Sequence, residues 1–205
     1  MLQTFILVLD WFGLCVFAVS GALVASRKEM DIVGFAMLGG VTGIGGGTIR
    51  DVLLGIEPVF WVKQPAYLVT CVVVAVATFF VAHVPQSRER LLLWFDAVGL
   101  SLFCVTGADI ALKSGAGQTI AIALGVATAT FGGIIRDILG GESPIIFKQE
   151  ICISAALLGA LVFVTLSAWG LAYDASAVAG FCSAFLLRAA ALTWNLSLPR
   201  YRPRP

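Results

Sequence analysis

A glycine cluster followed by a charged pair interrupts an otherwise apolar run: Gly43-Ile44-Gly45-Gly46-Gly47-Thr48-Ile49-Arg50-Asp51. The pattern returns 86 positions later as Gly132-Gly133-Ile134-Ile135-Arg136-Asp137. The likeness extends beyond the motif. Residues 10–64 and 96–150 align without gaps and share 19 identities in 55 positions, Asp10 matching Asp96. A chain duplicated in this way folds as two copies of one unit, and each copy must accommodate an arginine and an aspartate among apolar neighbours.

Composition says where those neighbours are. The 205 residues are 60% hydrophobic and 12% charged. A soluble domain is about 45–50% apolar and about 25% charged. The sequence therefore reads as an all-α, polytopic integral membrane protein. A net charge of +1 excludes an electrostatic nucleic-acid partner. No basic n-region precedes the first apolar run, which reads as a retained helix and not as a removed signal. The five cysteines sit in apolar runs without C-x-x-C spacing and read as small buried hydrophobes. With one histidine, His83, at the end of a span, no Ser/His/Asp set, no metal site and no cofactor site can be assembled, and no enzyme is expected.

About 20 apolar residues cross a bilayer as a helix. Seven runs meet that length: about 4–25, 32–54, 66–84, 91–112, 119–139, 151–171 and 175–194. Loops are short, so the chain reads as a single transmembrane domain, 1–205. Repeat 1 covers about 4–84 and repeat 2 about 91–171. A seventh helix at about 175–194 and a basic tail at 195–205 follow. Three spans per repeat is an odd number, so the second copy enters the membrane from the opposite side. Inverted repeats of this kind place a transport pathway at their interface.

Lys/Arg bias sets the orientation. With the tail cytoplasmic and the N-terminus outside, cytoplasmic segments hold Arg27, Lys28, Arg88, Arg90, Lys148, Arg200, Arg202 and Arg204, and outer loops hold only Lys63 and Lys113. Arg188, late in the seventh span, is expected to snorkel towards the cytoplasm. Asn195-Leu196-Ser197 matches a glycosylation acceptor but adjoins this cytoplasmic tail.

The glycines have two physical uses. Gly39, Gly43 and Gly47 recur every fourth residue, as do Gly125, Ala129 and Gly133, and such small-residue ridges let helices approach closely. Consecutive glycines also weaken a helix by about 1 kcal/mol each, so Gly45, Gly46 and Gly47, and Gly132 and Gly133, are candidate kinks or unwound points. The charges are the candidate pathway residues. An Arg or Asp at mid-membrane costs about 2.5–3.5 kcal/mol even on the mild insertion scale, so Arg50, Asp51, Arg136, Asp137, Asp10 and Asp96 read as lining a water-filled path. Neighbouring positions on a helix are about 100° apart. The adjacent aspartate is accordingly not expected to point the same way, and at least one of Arg50 and Arg136 is expected to be held by a carboxylate from another helix, Asp10 or Asp96 being the first candidates.

The glycine motif is also similar to the signature of tRNA nucleotidyltransferases, whose chemistry needs further carboxylates for metal ions; no D-x-D follows it here. Seven spans, the tandem three-helix repeat and the glycine-rich second and fifth spans together resemble the prokaryotic trimeric intracellular cation (TRIC) channels. The resemblance covers nearly the whole chain. It implies a homotrimer in the cell membrane, with a pore for K⁺ and Na⁺ inside each subunit, between helices kinked at Gly45–Gly47 and Gly132–Gly133. The lipid-contacting Lys-Glu-Val of animal members is absent, Thr48-Ile49-Arg50 and Ile134-Ile135-Arg136 standing in this region; membrane lipid remains the surrounding partner. A secondary transporter for a small solute such as glycine, and a scaffold whose glycines serve packing alone, are the other classes compatible with the residues.

Overall fold

The computed structural model describes residues 2–81, 88–144, 151–194 and 196. His83, Lys148, Asn195 and the tail from 197 onward lie outside the described residues. The elements are α1 (Leu2–Arg27), α2 (Ile32–Leu54), α3 (Phe60–Lys63), α4 (Ala66–Val81), α5 (Arg88–Lys113), α6 (Gln118–Leu139), α7 (Cys152–Ala168) and α8 (Tyr173–Trp194). No strand occurs among the described residues. Five helices, α1, α2, α5, α6 and α8, are long and apolar enough to cross a membrane, while α4 and α7 are apolar but shorter, at 16 and 17 residues. The one-turn α3, in what reads as a loop, is the element that hydrophobic periodicity does not reveal.

The surface carries large apolar side chains such as Val33, Met37, Phe80 and Leu186. The interior collects small residues and the polar ones, including Thr42, Thr128, Arg50, Asp51, Arg136 and Asp137. This inversion suits a bundle in lipid, where close packing and internal hydrogen bonds, not burial from water, hold helices together. Cys71, Cys104 and Cys152 are buried as expected, but Cys182 is exposed on the apolar surface.

Equivalent elements of the two copies pack on each other, α1 on α5 and α2 on α6; α8 lies against α5 and α7. The contacts are reciprocal at the offset of 86. A Cβ on Gly13 would come within 3.3 Å of the Phe103 ring, and one on Gly99 within 2.2 Å of the Phe17 ring. Those two rings meet edge-on, with centroids 5.0 Å apart.

The ends of α2 and α6 are also built alike. Gly55 and Gly141 take left-handed backbone, φ 67° and 66°. The next amides then bond back into the helix, Ile56 N–H to the Asp51 carbonyl at 2.9 Å and Glu142 N–H to the Asp137 carbonyl at 2.8 Å. Such a turn satisfies carbonyls that would otherwise be orphaned at a helix end. A side chain in left-handed backbone costs about 1–2 kcal/mol. Gly141→Ala is therefore expected to lower the unfolding temperature of the detergent-solubilised protein by several degrees; an unchanged Tm would show that the turn does not need glycine.

Candidate functional site

Where α2 crosses α6, the glycines permit near-contact of backbones. A Cβ on Gly46 would lie 2.0 Å from the Thr128 carbonyl oxygen, and one on Gly132 would lie 2.5 Å from the Thr42 carbonyl oxygen. Gly46 matches Gly132 and Thr42 matches Thr128, so one contact is made twice. Each threonine returns its hydroxyl to its own helix, Thr42 to the Leu38 carbonyl and Thr128 to the Leu124 carbonyl at 2.6 Å. Both helices run through the glycines without interruption. No unwound segment occurs there, because each glycine amide keeps its helical setting while the missing side chain makes room for the other helix. Gly47 faces the Phe60 ring, 2.7 Å from where its Cβ would be, and Gly45 faces Ile135. Gly133 differs: a Cβ there would meet only Arg136 Nη2 at 3.4 Å and Asp96 Oδ1 at 3.6 Å, so its face opens onto the charged residues.

Those charged residues occupy the two ends of the crossing. Arg136 is 1% exposed. Its Nη1 donates to Asp96 Oδ1 on α5 at 2.7 Å and to the Ser20 hydroxyl on α1; its Nε donates to Asp137 Oδ1 at 2.8 Å. One guanidinium thus ties three helices together. Arg136, Asp96, Asp137, Thr130, Gly133 and Cys152 surround a cavity of ≈ 20 Å³, room for about one water. Arg136 Nη2 is buried without a hydrogen-bond partner among the described residues, a donor such a water would satisfy.

At the other end Arg50 binds its neighbour, Nη2 and Nε donating to Asp51 Oδ1 at 2.7 and 2.9 Å. Asp51 Oδ2 accepts the Phe60 amide at 2.8 Å, and the guanidinium lies 5.8 Å from the Phe60 ring centre. The Trp61 indole donates to Thr48 Oγ1 at 3.0 Å, so α3 is fastened along α2. Asp10 lies within electrostatic reach of Tyr67, Arg50 and Asp51, but makes no ion pair with Arg50 among the described residues.

Two expectations change. The 100° argument fails for both Arg-Asp pairs, because an arginine is long enough to bend back to the next residue's carboxylate. Arg188 does not snorkel; it is 1% exposed inside the bundle. The cross-helix carboxylate is present for Arg136 and Asp96. Ser20, Thr106 and Tyr67 are site residues that sequence reading passes over, although the matching of Ser20 with Thr106 in the repeat was the available signal.

A family model described as a glycine transporter matches the chain twice, over residues 7–83 and 93–168. A membrane protein of Vibrio cholerae is 40% identical over 197 residues, covering 94% of this chain and 81% of that protein. The inner membrane protein YadS of Escherichia coli is 40% identical over 195 residues, 94% of each. The structure of a TRIC trimeric intracellular cation channel orthologue from Rhodobacter sphaeroides superposes with a TM-score of 0.93 at 67% identity, covering 95% of this chain and all of that one. The chain belongs to the TRIC family. A second TRIC structure, of a prokaryotic channel in 0.5 M KCl, matches at 33% identity with a TM-score of 0.88, covering 96% of this chain and all of that one. In TRIC terms, the glycine crossing and both Arg-Asp ends lie inside one chain of an all-helical membrane fold.

Proposed function

We propose that the protein is a channel for monovalent cations, K⁺ and Na⁺, with a pore inside each subunit of a homotrimer. The observation that carries this reading is the 67% identity with the Rhodobacter TRIC orthologue over 95% of the chain. The charged residues give it a physical basis. Around the two guanidiniums of Arg50 and Arg136 stand the carboxyl groups of Asp10, Asp51, Asp96 and Asp137, so acidic groups outnumber basic ones along the passage. Acidic linings favour cations. The arginines fix helices and moderate the field and are not ion ligands.

In this reading the chain is two inverted three-helix repeats plus a seventh helix, in the inner membrane, with the N-terminus outside and the C-terminus cytoplasmic. The pore runs between α2 and α6. The glycine contact is its constriction, and bending at Gly45–Gly47 and Gly132–Gly133 opens it. Proteoliposomes test the class of function. K⁺ efflux that rises without saturation and needs no co-substrate is expected. Saturable glycine uptake with counterflow, and no K⁺ efflux, would make the protein a secondary transporter.

A further inference from the structure

The two ends of the crossing are repeat-equivalent, yet they are not in the same state. Arg136 is bound by Asp96 and Ser20 from two other helices. The matching residues at the Arg50 end are Asp10 and Thr106. Asp10 makes no ion pair with Arg50, which binds Asp51 instead, and the Thr106 hydroxyl, 1% exposed, has no hydrogen-bond partner among the described residues. The other two buried threonines, Thr42 and Thr128, both bond their own helix; Thr106 does not. A second tie follows the same pattern. Arg27 on α1 bonds Glu142, just after α6, at 3.0 Å, and Lys28 reaches it at 3.6 Å. Lys113, the match of Arg27, bonds Asp109 of its own helix at 2.6 Å. The Arg136 end is tied to α1 and α5, whereas at the Arg50 end these bonds among the described residues reach only the one-turn α3.

We infer that Thr106 is the docking residue for Arg50 in a second state, the mirror of this one. In that state Arg50 bridges Asp10 and Thr106, and Arg136 lets go of Asp96 and Ser20, keeping only Asp137. The arginine contacts of the two inverted repeats can exchange, because Asp10 and Thr106 offer Arg50 the bonds that Asp96 and Ser20 give Arg136; the Arg27–Glu142 tie, whose match at Glu142 is Ile56, is broken without replacement. The buried hydroxyl of Thr106 is then a vacated acceptor whose partner is Arg50. Ten residues separate Asp10 from Ser20 and Asp96 from Thr106, about 15 Å along a helix, so each arginine reaches one residue from α1 and one from α5. The inference rests on the channel reading only for its consequence, which is that opening moves from one end of the pore to the other.

Cys152 lines the cavity at the Arg136 end and reports on that end directly. With Cys15, Cys71, Cys104 and Cys182 replaced by alanine, the rate of Cys152 modification by a small methanethiosulfonate is measured in proteoliposomes, with K⁺ efflux followed in parallel. Ser20→Ala removes a bond present only in the present state and should raise the rate roughly tenfold, the change one lost hydrogen bond to a charged group corresponds to. Thr106→Val removes a bond present only in the mirror state and should lower the rate by a similar factor. Thr106→Ser and Ser20→Thr, which keep the hydroxyl, should restore the parent rate. Changes of the same sign, or no change in Thr106→Val, overturn the inference. Opposite changes without K⁺ efflux in any variant leave the switch standing and remove the channel reading instead.

Discussion

Gly46→Leu is expected to abolish conduction and most of the folded protein, and Gly46→Ala to fall close behind. The position where a first side-chain carbon would sit is 2.0 Å from a backbone oxygen, that of Thr128, which cannot swing aside as a side chain does. Overpacking a close contact typically costs about 1–3 kcal/mol, and here the clash is with backbone, so it is relieved only by moving α2 and α6 apart. Gly132→Ala, with 2.5 Å to the Thr42 carbonyl oxygen, should behave likewise. Gly133→Ala should not. It meets only the tip of Arg136 and an Asp96 oxygen at ordinary van der Waals distance, so the protein should fold and show altered conduction only. Thermal stability of the four variants in detergent, set beside their K⁺ efflux, separates the two effects. Equal stability of Gly46→Ala and Gly133→Ala would contradict the packing account of Gly46.

The second large effect belongs to Arg136. Removing it by Arg136→Ala leaves Asp96 and Asp137 buried without their cation and releases α1, α5 and α6 from one another. Breaking a buried pair from one side costs about 3–5 kcal/mol, enough to lose most folded protein. The double change Arg136→Ala with Asp96→Asn should recover part of this, because the stranded charge is removed with its partner. Arg50→Ala should be milder, since among the described residues Arg50 pairs with the adjacent Asp51 alone and lies near the Phe60 ring. A double-mutant cycle on Arg136 and Asp96 measures the coupling. Purely additive losses would mean that the ion pair contributes nothing.

Much of this was legible in the sequence, for particular reasons. The positions of the long helices follow from apolar runs, and the offset of 86 identifies Arg50 with Arg136 and Asp10 with Asp96. That a carboxylate from another helix, Asp10 or Asp96, holds at least one of the arginines followed from the need to neutralise a charge in lipid; that the pair is Arg136 with Asp96 did not. The reach of an arginine to its own neighbour was not legible, because it depends on rotamers that a helical-wheel angle ignores. Nor was the burial of Arg188, since a charge late in a span is equally compatible with the interface and with a packed interior. The asymmetry between the ends could not be read either: Ser20 and Thr106 are equivalent as residues, and only the fold shows that one is bonded and the other is not. The glycines carried two meanings, and the contact at Thr128 shows which of them α2 uses in this state.

The central claim, a cation pore within each subunit, is tested most directly by purified protein in planar bilayers under a K⁺ gradient. Unitary currents that reverse near the K⁺ equilibrium potential are the result the account predicts. Silent membranes, from protein shown to be folded and inserted, would contradict it.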